Sequence, residues 1–266
     1  MALQLEDLYL AYEQNRVLNG LNLSIPREKF SVIIGPNGCG KSTLLKSLCR
    51  LLKPKSGKVL LNGQSIQHLA TRQVAKQLSL LPQSAISPEG IKVAELVARG
   101  RYPHQGAFRQ WTQADENAVK NALQMTETTE LSQQMVDSLS GGQRQRVWIA
   151  MLLAQQAPIL LLDEPTTYLD IAHQLELLEL FKRLNVDGKH TIVAVLHDLN
   201  QACRYADNLI VMKAGKLVAE GPPSELITSQ LIQEVFELDS VIIADPVTNT
   251  PLIVPKPPAT GSRQQN

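Results

Sequence analysis

The chain has 266 residues, 44% of them hydrophobic and 19% charged, with a formal net charge of +1 at pH 7. This is the composition of a folded protein with a sizeable core, enough for one large domain or two closely joined parts. The near-neutral balance gives no reason to expect nucleic acid or an anionic lipid surface as the main partner.

No run approaches the roughly 18–20 apolar residues that cross a bilayer. Met1–Leu10 is acidic and alternating, without the basic start and apolar stretch of a secretory signal. The chain is therefore expected in the cytoplasm, reaching any membrane through a partner. Cys39, Cys49 and Cys203 are odd in number and scattered, which points to reduced thiols rather than a disulfide framework or a zinc site.

In chain order, Leu3–Leu10 and Val17–Ile25 alternate apolar and polar residues, as antiparallel strands do. Phe30–Ile34 is β-branched and ends at glycine, a buried strand. A glycine-rich loop follows, then a helix over about 41–51. Pro54 and Gly57 break the chain before the strands Val59–Leu61 and Leu78–Leu81. Across 84–157 strand signals are absent. Helices are predicted there at Ala94–Arg99, Thr112–Thr126 and Ser140–Gln155, the second opened by Thr112 and Asp115 in capping-box spacing.

The β pattern returns at Ile159–Leu162, Thr191–Leu196 and Leu209–Met212, with helices near Ile171–Leu184 and Asp198–Ala206 between. Ala214-Gly215-Lys216 reads as a hairpin turn into Leu217–Ala219. Alternating strands and helices indicate an α/β fold whose mainly parallel sheet is covered on both faces. The segment Pro255–Asn266 is rich in proline and polar residues and is expected to be a disordered tail.

Gly35-Pro36-Asn37-Gly38-Cys39-Gly40-Lys41-Ser42 fits the phosphate-loop pattern, between a predicted strand and a predicted helix. The glycines let the backbone wrap closely around phosphates with its N–H groups turned inward. The helix directs its positive end at the same anion. Lys41 suits the β and γ phosphates, and the Ser42 hydroxyl suits Mg²⁺. The plainer alternative, a glycine turn capped into a helix, is disfavoured by this flanking strand and helix.

Ile159–Leu162 ends in Asp163 and Glu164. In a phosphate-loop ATPase an aspartate here holds Mg²⁺, and the next carboxylate is placed to act as general base on the attacking water. His197 follows another strand end, where an open α/β sheet places its ligands. Taken alone, a partly exposed histidine before the helix N-cap Asp198 is the favoured reading, and a hydrogen-bond partner of the γ-phosphate or the attacking water is the alternative.

Leu139-Ser140-Gly141-Gly142-Gln143 completes a set. With the phosphate loop at Gly35–Thr43, Gln83, Asp163–Glu164, Tyr168-Leu169-Asp170 and His197, the chain from about 2 to 254 resembles an ABC transporter ATPase. Ser140 and Gln143 have capping-box spacing. Two glycines at a helix start also leave bare N–H groups, a ready anion site. The resemblance implies that Ser140, Gly141, Gly142 and Gln143 bind the γ-phosphate of a second copy's ATP, so that two chains sandwich two nucleotides head to tail.

It further implies that Tyr12 stacks on adenine and that Gln83 touches Mg²⁺ or water. Asp170 would cross the dimer interface. Glu13, where glycine is frequent in the family, and Thr167-Tyr168, where Ser-Ala is commoner, depart from the pattern. The implied architecture is a phosphate-loop NTPase core over 2–83 and 158–254, an N-terminal antiparallel β portion and an inserted helical subdomain over 84–157.

Finer likeness lies in Ser87–Ile91, Leu96–Gln105, Pro165–Asp170, Leu196–Ala202 and Asp245–Val247. These are similar to the ATPases of iron–siderophore importers, of the ferric-enterobactin type with ferric-citrate ATPases nearby. That implies ATP and Mg²⁺ at the site, two transmembrane permease subunits, a periplasmic siderophore-binding protein, and a place on the cytoplasmic face of the inner membrane. Cobalamin or haem remain alternative cargoes. A non-transport ABC ATPase of DNA repair or translation would carry a long coiled-coil insertion or a second cassette, and neither is present.

Overall fold

The computed structural model describes residues 1–13, 15–106, 110–167 and 169–257. Three sheets organise it. The first is antiparallel, in the order β2-β1-β4-β5, from β1 (Leu3–Tyr12), β2 (Asn15–Ile25), β4 (Ser56–Leu61) and β5 (Gln64–Ser65). The second has six strands in the order β10-β9-β3-β8-β7-β6. They are β3 (Phe30–Ile34), β6 (Leu78–Leu81), β7 (Ile159–Asp163), β8 (Thr191–Val195), β9 (Asn208–Lys213) and β10 (Lys216–Gly221). All pair in parallel except β10, which closes a hairpin on β9. The third is the hairpin β11 (Ser240–Ala244) and β12 (Pro251–Pro255).

The helices are α1 (Lys41–Leu48), α2 (Thr71–Gln77), α3 (Val93–Ala98), α4 (Gln113–Met125), α5 (Gly141–Ala154), α6 (Ile171–Val186), α7 (Leu199–Tyr205), α8 (Pro223–Leu226) and α9 (Ser229–Phe236). None among the described residues is long and apolar enough to cross a membrane.

The period of two along a strand explains the layering. Every residue of β3, β7 and β8 is buried, so these strands are covered on both faces, as parallel sheets are. Phe30, Val32 and Ile34 of β3, Leu160 and Leu162 of β7, and Ile192 and Ala194 of β8 share one core with apolar residues of α3, α5, α6 and α9. The alternate residues Ile33, Ile159, Leu161, Val193 and Val195 face the other way. They pack with Leu44, Leu45 and Leu48 of α1 and with the inward leucines of β1. Full burial of such a side chain contributes about 1.5–3 kcal/mol, so the central sheet is the principal source of cohesion.

The predicted strands and main helices are present, with shifts at their ends. The first helix stops at Leu48 rather than near 51, because Arg50 takes a left-handed φ of 62° and its guanidinium turns to the carbonyls of Ile66 and Leu69. Ala214 and Gly215 carry φ of 47° and 76°, the geometry of a tight hairpin turn. In the stretch predicted to lack strands, the described residues hold one isolated bridge, Lys92 to Met135.

One expectation is corrected. Pro255 does not begin a tail: it ends β12, opposite Ser240, and the Lys256 N–H still donates to the Asp239 carbonyl. A proline is tolerated at this terminal position of an edge strand, where its missing N–H breaks no ladder. Residues 258–266 lie outside the described residues.

Candidate active site

Four neighbouring strands, β3, β8, β7 and β6, end along one edge of the central sheet. The chain leaves each of them towards a functional candidate: the glycine-rich loop after β3, His197 after β8, Glu164 after β7 and Gln83 after β6. Ligand sites of open parallel sheets lie at this edge.

The loop's shape depends on two glycines. A Cβ on Gly35 would lie 2.2 Å from the Met212 carbonyl oxygen, and Gly40, the N-cap of α1, has a φ of 104°. No side chain caps α1, and no acidic residue lies in its first turn. Its leading N–H groups are thus left for an outside acceptor. Lys41 is 6% exposed, and its Nζ donates to the carbonyls of Gly35 at 2.8 Å and Pro36 at 3.0 Å. An ammonium with three protons and no carboxylate partner among these bonds suits an incoming anion.

Ser42 Oγ donates to Asp163 Oδ1 at 2.8 Å. Burial pushes the Asp163 carboxyl above the usual carboxylate range, the Ser42 hydrogen bond opposing it and the neighbouring Glu164 charge adding to it. Among the described residues no group of three or more His, Cys, Asp or Glu side chains could hold a metal ion. A hydroxyl and one carboxylate nevertheless fit Mg²⁺, which takes few protein oxygens and fills its octahedron with phosphate and water.

Glu164 has a left-handed φ of 53°, which turns it off the end of β7. Its Oε2 accepts from Gln83 Nε2 at 2.7 Å and from Thr167 Oγ1 at 3.3 Å, and its Oε1 lies 2.6 Å from His197 Nε2. Its side chain is 11% exposed against 48% for His197. Asn37, Gly38, Gly40, Lys41, Ser42, Thr43, Gln83, Glu164 and His197 line one cleft of about 540 Å³, together with Val17. Among the described residues, therefore, the strand-end carboxylate, the histidine and the phosphate loop share one cavity.

Residues 18–167 match the family model for the ABC transporter. The ferric enterobactin transport ATP-binding protein FepC of Escherichia coli (strain K12) is 56% identical over 250 residues, covering 94% of this chain and 92% of that protein. The chain belongs to the ABC transporter family, as an ATP-binding subunit. Among solved structures, an inward-facing ABC transporter described as of metal-chelate type aligns with a TM-score of 0.82 at 28% identity, covering 96% of this chain and 97% of that one. A dimeric bacterial ABC transporter cassette aligns with a TM-score of 0.74 at 29% identity, covering 83% and 98%.

The remaining candidates of this ABC subunit lie elsewhere. Ser140 caps α5 in a reciprocal box: its Oγ accepts from the Gln143 N–H at 3.3 Å, and its N–H donates to Gln143 Oε1 at 3.1 Å. A Cβ on Gly141 would meet nothing within 4 Å, so this helix start is open to approach. Ser140, Gly142, Gln143 and Asp170 line a second cleft of about 540 Å³ that shares no residue with the first. Asp170 caps α6, and its carboxylate takes the His173 N–H at 2.9 Å and lies 2.7 Å from His173 Nδ1. Those bonds hold it below the usual carboxylate range, the backbone one foremost.

Tyr12 is 46% exposed at the end of β1 and does not line the Lys41 cleft. Glu13 adopts a left-handed φ of 52°, the conformation that glycine favours there. Tyr168 lies outside the described residues. The three cysteines are free, and burial pushes the Cys203 thiol up to about 12.

Sequence reasoning missed Val17 and Thr167. Val17 sits inside an ordinary alternating strand, without a distinguishing signal. Thr167 lies three residues beyond Glu164, the reach of a single turn, and that spacing could have found it.

Proposed function

We propose that this chain hydrolyses ATP to power uptake of an iron(III)–siderophore complex through an ABC importer. The observation that carries the chemistry is the meeting of Glu164, His197 and Gln83 beside the phosphate loop. In this reading the loop from Gly35 to Thr43 cradles the triphosphate, and Lys41 exchanges its carbonyl partners for β and γ oxygens. Ser42 and Asp163 would hold Mg²⁺, with Gln83 adjoining. The metal, when bound, neutralises charge on the phosphate oxygens.

Glu164 takes the proton from the attacking water, and His197 orients that water or the γ-phosphate. Adenine stacks on Tyr12. In one copy the Ser140 cleft and the Lys41 cleft are separate, so the second wall of each nucleotide site comes from a second copy, with Asp170 at the interface. The likeness to a dimeric cassette supports that arrangement. Closure then follows ATP and opening follows hydrolysis, because the nucleotide binds only the closed state on both walls.

The cargo reading rests on the 56% identity to a ferric enterobactin transport protein. Two permease subunits, with a periplasmic siderophore-binding protein outside, would hold the chain at the cytoplasmic face of the inner membrane, and residues 2–254 would form its single ABC ATPase domain. The test is growth under iron starvation, supplying one siderophore at a time to strains lacking the gene and complemented with wild type or Glu164→Gln. Siderophore-dependent growth is expected with wild type alone. Growth and iron uptake that ignore the gene for every siderophore would overturn the cargo and favour cobalamin or haem.

A further inference from the structure

Two segments distant in sequence, Leu196–Ala202 and Asp245–Val247, belong to one joint. α7 has seven residues, and isolated helices shorter than about 12–15 residues are marginal in water. Asp198 Oδ1 caps its start, accepting from the N–H groups of Asn200 at 2.8 Å and Gln201 at 3.0 Å. Ala202, Cys203 and Tyr205 are buried in the core, and Tyr205 Oη donates to Glu179 Oε1 at 2.9 Å. A further grip comes from the C-terminal hairpin.

The side-chain amide of Asn200 pairs with β12 as a strand residue would. Its Oδ1 accepts from the Ile253 N–H at 2.8 Å, and its Nδ2 donates to the Ile253 carbonyl at 3.3 Å. Four residues on, on the same face of the helix, Arg204 Nη2 donates to Asp245 Oδ2 at 3.0 Å. The other oxygen of Asp245 accepts from the N–H groups of Val247 and Thr248, closing the loop between β11 and β12. Ile253 is 4% exposed and belongs to the core shared with α7, so the hairpin is a firm support. His197 stands two residues before α7, its imidazole against Glu164.

We infer that the hairpin β11–β12, through Asn200 and Arg204, positions His197 against Glu164 and thereby sets the rate of ATP hydrolysis. This rests on the reading of Glu164 and His197 as the hydrolytic pair. Asn200 and Arg204 are positioning residues: they act through the start of α7 and not on the nucleotide.

The test uses the full-length chain in its transporter complex and follows ATP turnover, ATP affinity and Tm. Asn200→Ala removes both bonds to Ile253, and kcat is expected to fall by about tenfold or more, since a displacement near 1 Å can cost about 10²-fold. KM for ATP should stay put. Asn200→Asp, which keeps the acceptor for the Ile253 N–H, should fall in between, and Arg204→Met should lower kcat in the same direction.

In a His197→Ala background, Asn200→Ala should change nothing further, because residues acting as one unit are not additive. Wild-type kcat in Asn200→Ala and Arg204→Met, or a full additional loss on top of His197→Ala, would overturn the inference while leaving the ATPase reading intact. Absence of ATP hydrolysis by the wild-type complex would overturn that reading, and the inference with it.

Discussion

Glu164 Oε1 and His197 Nε2 lie 2.6 Å apart although they leave different strands. β7 and β8 pair in parallel with Asp163 opposite Val195, so their ends emerge side by side, and Glu164, one residue beyond, meets His197, two residues beyond. The carboxylate is also braced by Gln83 and Thr167. Glu164→Gln keeps the side chain's size and removes its basicity. ATP turnover is expected to drop by about 10²–10⁴-fold, the usual contribution of a general base, while nucleotide still binds. ATP-loaded dimers should accumulate and be visible by size-exclusion chromatography. Turnover at the wild-type level would remove Glu164 from this role.

Lys41 offers a different separation. Its ammonium is buried and bonded only to loop carbonyls among the contacts described above. A charge-assisted hydrogen bond contributes about 1.5–3 kcal/mol, and about 1.4 kcal/mol is tenfold in affinity. Lys41→Ala should therefore weaken ATP binding by about 10–100-fold in an equilibrium titration. An unchanged Kd contradicts the phosphate-loop reading.

These sites were legible in the sequence because each is a contiguous pattern with a local cause. The loop Gly35–Ser42 needs glycine for backbone approach, the strand Ile159–Leu162 announces its end with Asp163 and Glu164, and Ser140 with Gln143 is a capping box that the structure shows in full. The joint between Asn200 and Ile253 had no such signal. It links side chain to backbone across 53 positions, and no periodicity records that. The hairpin was hidden for a related reason: prolines at 251 and 255 bracket β12 and read as breakers. α2 and α9 were also missed. α2 has only Val74 buried, too sparse an apolar stripe to betray a helix.

Arg101 shows what a subfamily-like segment does structurally. Its Nε donates to Asp115 Oδ1 at 2.8 Å, and its Nη1 donates to the Ala154 carbonyl and Gln156 Oε1, tying the start of α4 to the end of α5. The ion pair is buried, with side chains 4% and 5% exposed. Removing one partner leaves an uncompensated charge, so Arg101→Ala should destabilise by about 3–5 kcal/mol, read as a lower midpoint in urea. Arg101→Met with Asp115→Leu should recover most of that loss. A single mutant as stable as the wild type would show that the pair is not the fastener its burial suggests.

The same pair predicts a pH dependence with a definite sign. Burial pushes the Asp115 carboxyl up, but the hydrogen bonds from Arg101 and Thr112 outweigh it and hold the group below the ordinary carboxylate range. An unfolded aspartate takes its proton near about pH 3.9, so between that pH and the lower folded value the unfolded chain binds more protons. Stability there must rise with pH. The contribution of Asp115 is complete above the unfolded value and disappears as pH falls through the folded one. The Tm advantage of wild type over Asp115→Asn should thus be constant at neutral pH and shrink below about pH 4. A gap that widened in acid would mean that Asp115 is protonated more readily in the folded chain, and the hydrogen bonds from Arg101 and Thr112 would not be what governs it.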